Sequence, residues 1–377
     1  MKLSWQLVYF FLYCYRCIIS IIADLFVSRI TPLGDNDTYL TRSIETQASS
    51  GGLGVHRIFE APRQFSTELT VAIAYYLKSF FGLSLLVNIA FQTIAFIGII
   101  SVLRALDPYH RKWLLFLLIL PSFTIWSSIA GKEAIVVFAV GIASAYLINF
   151  SKKKRLPNIQ EIISAILIGI YKLQFLPAFL FLYFTLLIGD KVKQKTSIIL
   201  FAGLLSLSSL YIAKDKFDYI TLVEIPKSFI NNYTGKFQFS GNDGLAGGRS
   251  TRNIFFEEKG DFFWNIPKGF TMSLIGPTYK EVFRDGNPVH IFGFVEGMII
   301  LIFLSVAILY NSKKSPAILV IAVLFTFFWI LFGTYPLGVM NPGTAIRYRT
   351  SVIPFLGILA IYFISNKASY NWLKTRR

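Results

Sequence analysis

Histidine, cysteine and methionine are scarce in this sequence, and charged residues are few. The 377 residues include three histidines, two cysteines and four methionines, and only 15% of the residues are charged. Cys14 and Cys17 both lie in the first apolar run, and no group of His and Cys has the spacing of metal ligands. We therefore expect no disulfide scaffold, no metal site and no cofactor. We also exclude a soluble domain, which would need far more polar surface.

Apolar sequence is what the chain has in abundance. Hydrophobic residues make up 54% of it and aromatic residues 16%. They fall into blocks of about 17–25 residues, the length that spans the core of a bilayer. The net charge of +17 comes from lysines and arginines in short linkers between these blocks, as the positive-inside rule predicts. The sequence therefore predicts one polytopic membrane domain over residues 1–377, surrounded by lipid and with no nucleic-acid partner.

We predict an all-α bundle of about ten transmembrane helices with both termini in the cytoplasm. The predicted spans are residues 5–30, 83–103, 113–127, 134–150, 159–171, 175–188, 197–213, 290–310, 317–332 and 350–364. Every short linker that this topology places in the cytoplasm is net positive. Two hydrophilic regions are predicted on the outer side. Residues 31–82 form a first loop that ends in an amphipathic helix on the membrane surface, and residues 214–288 form one long loop.

Basic residues recur at the predicted outer ends of the spans, against the general trend of charge. Lys132 and Lys172 lie in very short predicted turns, and Arg347 and Arg349 precede the last span. Such cations bind phosphate groups, and arginine does so with two parallel hydrogen bonds. We predict that these four residues bind a pyrophosphate. The structural alternatives are interfacial anchors and charges that complement helix termini.

Two acidic residues follow the first span at the same predicted depth. Asp35 or Asp37 can take a proton from an acceptor hydroxyl, while nearby cations stabilise the charge that develops on a departing pyrophosphate. This combination predicts a catalytic site for glycosyl transfer. An Asx turn is the structural alternative for the two aspartates.

Other charged residues are predicted to contact the substrate from the loops. They are Glu60, Arg63, Arg249, Arg252 and His290. Arg249 and Arg252 lie in a glycine-containing segment suited to closing over a substrate. Arg16 and Asp24 lie within the first span, and we interpret them as a buried structural pair because charges inside a span are costly.

Four short motifs carry a resemblance to a known family. They are Gly34-Asp-Asn-Asp-Thr-Tyr39, Glu60-Ala-Pro62, Pro121…Trp126…Lys132-Glu133 and Arg347-Tyr-Arg349…Pro354. In this order they resemble the Wzy/EpsG-like membrane proteins of bacterial polysaccharide clusters. Thr38 separates Asp37 from Tyr39 where the family has Asp directly before Tyr, so the choice of base between Asp35 and Asp37 stays open.

The resemblance implies a GT-C-like glycosyltransferase of the bacterial inner membrane, with the active site facing the periplasm. Such a polymerase joins oligosaccharide repeat units carried on undecaprenyl pyrophosphate into O-antigen or a related surface polysaccharide. A chain-length regulator is an implied partner. Three alternatives stay open: a GT-C transferase using polyprenyl-monophosphate sugars, an O-antigen ligase, and a non-enzymatic flippase for the lipid-linked oligosaccharide. A flippase predicts charged residues distributed through a central cavity at mid-membrane depth, and two related halves of the chain.

Overall fold

A computed structural model describes six stretches of the chain, all built from helices. The stretches are residues 4–28, 36–41, 62–188, 264–312, 317–339 and 342–365. Within them no β-strand occurs. The described apolar blocks therefore fold as helices, which satisfy their own backbone hydrogen bonds as a bilayer requires.

The helices are numbered in chain order. The first nine are α1 (Trp5–Ile22, continued by a π-helical turn over Ala23–Val27), α2 (Asn36–Thr41), α3 (Pro62–Phe81), α4 (Ser84–Ala105), α5 (Pro108–Leu118), α6 (Pro121–Trp126), α7 (Lys132–Lys153), α8 (Ile159–Lys172) and α9 (Leu176–Ile188). The others are α10 (Ile266–Ile275), α11 (Tyr279–Asp285), α12 (Pro288–Ser312), α13 (Ala317–Gly338), α14 (Pro342–Thr350) and α15 (Ile353–Ser365). A short 3-10 turn over Leu173–Phe175 joins α8 to α9.

The chain forms two compact units. The first comprises Met1–Tyr146, Leu156–Leu173 and Thr350–Phe355, and the second comprises Leu147–Arg155, Gln174–Arg349 and Leu356–Arg377. The four predicted basic ligands are divided between the units: Lys132 and Lys172 belong to the first, together with the backbone of Asp37, whereas Arg347 and Arg349 belong to the second.

Among the described residues, five helical runs are long and apolar enough to cross a membrane. They are Trp5–Val27, Ser84–Ala105, Lys132–Lys153, Ile159–Leu187 and Pro288–Leu309. Helices α14 and α15 form a sixth candidate if this pair, bent by 44°, is one span. The prediction of an all-α membrane protein is confirmed, whereas the number of ten spans stays a prediction. The predicted span over residues 197–213 lies outside the described residues.

The two short spans predicted over residues 159–171 and 175–188 are joined in the structure. Residues Ile159–Leu187 form one candidate span of 29 residues, and the predicted turn at Lys172 is a 3-10 turn within it. A helix of 13 or 14 residues is only about 20 Å long, too short for a hydrocarbon core of about 30 Å. The joined run is long enough, so Lys172 lies near the middle of a candidate span and not at its outer end.

The span predicted over residues 113–127 is divided into α5 and α6. Helix α5 ends at Leu118, and Pro121 is the first residue of α6. Proline has no backbone N–H to donate and disfavours helical geometry in the residue before it. Leu120 accordingly has φ −59° and ψ 128°, which breaks the helix at this point.

Polar caps fix the beginnings of α5 and α8. Asp107 accepts hydrogen bonds from the backbone N–H groups of Tyr109 (3.1 Å) and His110 (3.0 Å), and its other oxygen lies 2.6 Å from Nδ1 of His110. Partial burial works to raise the pKa of Asp107, but the hydrogen bonds from His110 and Tyr109 outweigh it, and this pKa lies below its usual value. Asn158 and Glu161 form a capping box at the beginning of α8.

Helices α4 and α7 of the first unit cross at close range through two glycines. A Cβ atom on Gly98 would lie 2.6 Å from the Cα atom of Phe138, and one on Gly141 would lie 2.6 Å from the backbone of Gly98. Small residues at such crossings let transmembrane helices pack backbone to backbone. The crossing holds α7, which begins at Lys132, against α4.

In the second unit, α10 packs against α12 and α13. The Phe270 ring of α10 lies 6.1 Å from the ring of Phe328 and 5.8 Å from that of Tyr335. The indole N–H of Trp329 in α13 donates to the Gln174 carbonyl (3.0 Å), which ties α13 to the beginning of α9. The end of the predicted long outer loop is therefore helical and part of a packed unit.

Candidate functional site

The non-helical turn between α6 and α7 is the centre of the polar interior of the first unit. Residues Ser127–Gly131 are all buried, and non-helical backbone is costly to bury unless other groups satisfy it. Arg16 of α1 donates through Nη2 to the carbonyl oxygen (3.1 Å) and hydroxyl (2.9 Å) of Ser127. Ser20 donates to the Ser128 carbonyl (2.6 Å). Helix α1 therefore supplies the hydrogen bonds that the helix break needs.

Two asparagines attach α2 and α4 to the same turn. Asn36 donates through Nδ2 to the Ala130 carbonyl (2.8 Å) and to Oδ1 of Asn88 (3.2 Å). The same Oδ1 accepts the backbone N–H of Ala130 (2.7 Å), and Asn88 donates to Oδ1 of Asp24 (2.8 Å). Helix α2, which also carries Asp37, is therefore fixed against the turn that leads into Lys132. Arg16 and Asp24 are predicted as a pair. In the structure Asp24 accepts a hydrogen bond from Asn88, whereas Arg16 donates to Ser127.

Lys132 and Glu133 begin α7 directly after the turn. The ammonium group of Lys132 donates to the hydroxyl of Ser66 in α3 (2.9 Å). Ser66 and Glu133 are buried, and the Glu133 carboxylate lies beside Gly131. A lysine and a carboxylate are thus held at the N-terminus of a long helix, whose dipole favours the negative charge.

Helix α3 connects this region to Lys172. Thr70 of α3 donates to the Ser66 carbonyl (2.8 Å), and its hydroxyl also lies 3.3 Å from the hydroxyl of Tyr171. Lys172 follows Tyr171 directly and is only 4% exposed. One face of α3 therefore contacts Lys132 at one position and the residue next to Lys172 one turn later. At its other end, Lys78 donates to the Leu40 carbonyl of α2 (2.8 Å).

Arg349 has a different environment in the second unit. Its Nη1 donates to the carbonyls of Leu274 (2.9 Å) and Gly276 (3.2 Å), and its Nη2 donates to that of Gly293 (2.7 Å). The side chain is 3% exposed, and the buried Glu296 of α12 interacts with it electrostatically. Arg349 therefore binds the C-terminal carbonyls of α10 and joins α10, α12 and α14.

The remaining predicted site residues fall into three groups. Arg347 is half-buried on α14, and His290 is buried near the beginning of α12. Asp35, Glu60, Arg249 and Arg252 lie outside the described residues, and only the backbones of Asp37 and Arg63 are described, in α2 and α3. Their roles stay predictions. Within the described ranges, no three His, Cys, Asp or Glu side chains form a group that could hold a metal ion.

The sequence reasoning missed the neutral polar residues of the site. These residues carry no charge, and in the sequence they stand among apolar or loop residues. They are Asn36, Asn88, Ser66 and Tyr171. A buried amide within a predicted span is costly unless it is hydrogen-bonded. Asn88 inside the block over residues 83–103 was therefore a usable signal for the polar network.

Searches for similar proteins matched no family model, no curated protein and no solved structure. What the fold itself defines is a class: an all-helical protein with several helices that can span a membrane. The features that bear on function are the polar interior of the first unit and the cations of the second.

Proposed function

We propose that this protein polymerises oligosaccharide repeat units carried on undecaprenyl pyrophosphate, at the periplasmic face of the bacterial inner membrane. The proposal includes a GT-C-like bundle of about ten spans. Its substrate combines a long apolar lipid, a doubly charged headgroup and a polar sugar chain. Binding such a molecule requires buried cations next to apolar helices, and a proton acceptor close to the cations.

The observation that best supports the proposal is the arrangement around α3. This helix contacts Lys132 through Ser66 and the neighbour of Lys172 through Thr70. Helix α2, which bears Asp37, is hydrogen-bonded to the turn before Lys132. Charged groups within membrane segments are rare and usually functional, and here two lysines share the surroundings of one helix.

In the proposed reaction, a sugar hydroxyl of one lipid-linked chain attacks the anomeric carbon of another. The bond between that carbon and the phosphate oxygen breaks, and undecaprenyl pyrophosphate departs with the electron pair. Lys132 stabilises the charge on the departing group, and the sequence assigns the same role to Lys172, Arg347 and Arg349. A carboxylate takes the hydroxyl proton, and the sequence assigns this role to Asp35 or Asp37. In the second unit, Arg349 holds α14, on which Arg347 lies.

The test is to reconstitute the purified protein in liposomes with a lipid-linked repeat unit and to separate the products by size. A ladder of products that differ by whole repeat units supports the proposal. The double variant Lys132→Met, Lys172→Met should lose the ladder because the leaving group is no longer stabilised. Lys112→Met is the matched control, since Lys112 is an exposed lysine of the same unit. A normal ladder from the double variant would contradict the proposed role of the lysines.

A second candidate is a flippase that moves the same lipid-linked oligosaccharide across the membrane. Its support is the position of two buried charged residues of the first unit near the middles of candidate spans: Arg16 and Lys172. Charges at this depth suit a polar path through the bilayer. A flippase predicts protein-dependent transfer of the lipid-linked unit between leaflets and no change in its size. Products of increased size would contradict this candidate.

A further inference from the structure

One arginine of the first unit is held in a fixed orientation at the ends of two neighbouring candidate spans. Arg111 of α5 donates through Nε to the carbonyl of Leu106 (2.8 Å), and its Cζ atom lies 5.1 Å from the centre of the Trp5 ring. Trp5 is the first residue of the span Trp5–Val27, and Leu106 directly follows the span Ser84–Ala105. The guanidinium group of Arg111 therefore lies at the depth of lipid headgroups.

The two Nη groups of Arg111 are available to a ligand. Arg111 makes no further hydrogen bond or ion pair with the residues that the structure describes, and its side chain is half-buried. The Nη groups of an arginine form a planar fork that matches two oxygens of a phosphate. Because the Leu106 carbonyl and the Trp5 ring already fix this plane, a phosphate can bind with little further loss of side-chain entropy.

The charges around Arg111 favour an anion. Arg104 and Lys112 are exposed, and Asp107 is the one acidic residue in the segment 104–112. Its carboxylate already accepts two backbone N–H groups at the beginning of α5. Three cations against one engaged carboxylate attract the headgroup of an anionic lipid more strongly than that of a zwitterionic lipid.

Aromatic side chains accompany Arg111 on α5 and on α1. Tyr109 is 60% exposed and Trp113 is 38% exposed, and their rings lie 6.2 Å apart. The Trp5 ring lies 6.2 Å from that of Tyr9. Trp and Tyr are enriched at membrane–water interfaces because their rings combine an apolar body with a polar group. The region thus offers a cation to a phosphate and aromatic surfaces to the adjoining part of a lipid.

We infer that Arg111 binds the phosphate of an anionic phospholipid, such as phosphatidylglycerol, and that Trp5 is a positioning residue for its guanidinium group. Arg104 and Lys112 add a less specific attraction for the charged headgroup. The inference goes beyond the proposed polymerisation and does not depend on it, because it uses none of the residues proposed to bind the pyrophosphate or to take the proton.

The experiment titrates the purified protein in a neutral detergent with phosphatidylglycerol and measures the Kd of the first bound lipid by native mass spectrometry. Arg111→Met should raise this Kd at least about tenfold, because charge-assisted hydrogen bonds are lost. Lys112→Met is the matched control, since it removes the same charge from the next residue, and it should raise the Kd by no more than about fivefold. Equal effects of the two substitutions would show a response to net charge alone and would overturn the assignment.

Two further variants test the orientation of the guanidinium group. Arg111→Lys keeps the charge but has no planar fork, and we expect a Kd about fivefold higher than in the wild type. Trp5→Leu keeps every charge and removes only the ring, so the Kd should rise about two- to fivefold. It also keeps the site testable if thermal unfolding in lipid-free detergent shows that Arg111→Met is not folded. Wild-type affinity in either of these variants would contradict a fixed phosphate-binding fork.

Two other ligands distinguish the possible sources of the phosphate. Phosphatidylcholine carries the same phosphate with a compensating ammonium group, and it should bind about tenfold more weakly than phosphatidylglycerol. Inorganic phosphate carries the charge without lipid chains, and an equal concentration of it should not displace the lipid. Equal affinity for the two lipids would overturn the preference for an anionic headgroup. Displacement by inorganic phosphate would show a site for a free anion and would overturn the assignment to a lipid.

Discussion

Arg347 and Arg349 lie two residues apart on α14, and we expect their substitutions to affect different properties of the protein. Arg349 is almost completely buried and donates to three backbone carbonyls from two other helices. Arg347 is half-buried. The prediction is that Arg349→Met destabilises the protein, whereas Arg347→Met leaves it folded but without long-chain product.

The magnitude follows from the hydrogen bonds that are lost. Removing the guanidinium group of Arg349 leaves the carbonyls of Leu274, Gly276 and Gly293 without this donor in an apolar interior. Each such buried acceptor costs about 1–3 kcal/mol. Because neighbouring effects do not add fully, we expect a loss of about 3 kcal/mol or more in the free energy of unfolding. A partly exposed side chain such as Arg347 should change it by less than about 1 kcal/mol.

Thermal unfolding of the purified variants in detergent measures the first effect, and the product ladder measures the second. Arg349→Lys is an informative intermediate, since one ammonium group cannot bind three carbonyls at the positions that the planar guanidinium reaches. It should therefore be destabilised although its charge is retained. If Arg349→Met unfolds at the wild-type temperature but makes no polymer, Arg349 acts on the substrate and the structural reasoning is refuted.

Three further predictions concern the packing and the polar network of the first unit. Gly98→Ala should destabilise the protein by about 1–3 kcal/mol, measurable by thermal unfolding, because the new methyl would overlap the backbone of Phe138; wild-type stability would contradict the close crossing. Asn88→Leu should lower the free energy of unfolding by about 1–3 kcal/mol, because the buried backbone N–H of Ala130 loses its acceptor. Gln92→Leu, one turn away on the same helix, is the comparison. Asp107→Ala should lower the free energy of unfolding by about 1 kcal/mol, because α5 loses its N-cap. The lowered pKa of Asp107 means that its charge stabilises the fold above the ordinary value near 3.8, and that this contribution is lost as the pH falls through the lower folded value. Asp107→Asn should remove this acid dependence in a pH series of unfolding measurements.

Long apolar runs made the helices predictable from the sequence. The predicted spans over residues 83–103 and 290–310 correspond closely to the candidate spans Ser84–Ala105 and Pro288–Leu309. Breaks were harder to predict, because their cost depends on tertiary partners. The break at Pro121 is tolerated because Tyr15 of α1, which is distant in sequence, donates to the carbonyl of Ile119 (2.9 Å).

The candidate site was predicted only in part, for a related reason. Lys132 is visible in the sequence because a charge at the end of an apolar block is unusual. Its partner Ser66 is an ordinary hydroxyl in a helix of mixed character, and nothing in the sequence pairs the two. The charge of Arg349 in the sequence led to the prediction that it binds phosphate. The three groups that it contacts in the structure are backbone carbonyls, which every residue has, so the sequence does not indicate them.

The joined run Ile159–Leu187 leads to a prediction about topology. A hairpin at Lys172 would place the basic segments Lys152–Arg155 and Lys191–Lys195 on the same side of the membrane, whereas a single span places them on opposite sides. The two segments can be labelled separately, through single cysteines introduced into a variant lacking Cys14 and Cys17, with a thiol reagent that does not cross the membrane. We expect labelling of only one of the two in intact spheroplasts, and of both after permeabilisation. Protection of both in spheroplasts would restore the hairpin, return Lys172 to the membrane surface, and remove it from the buried charges that support a flippase.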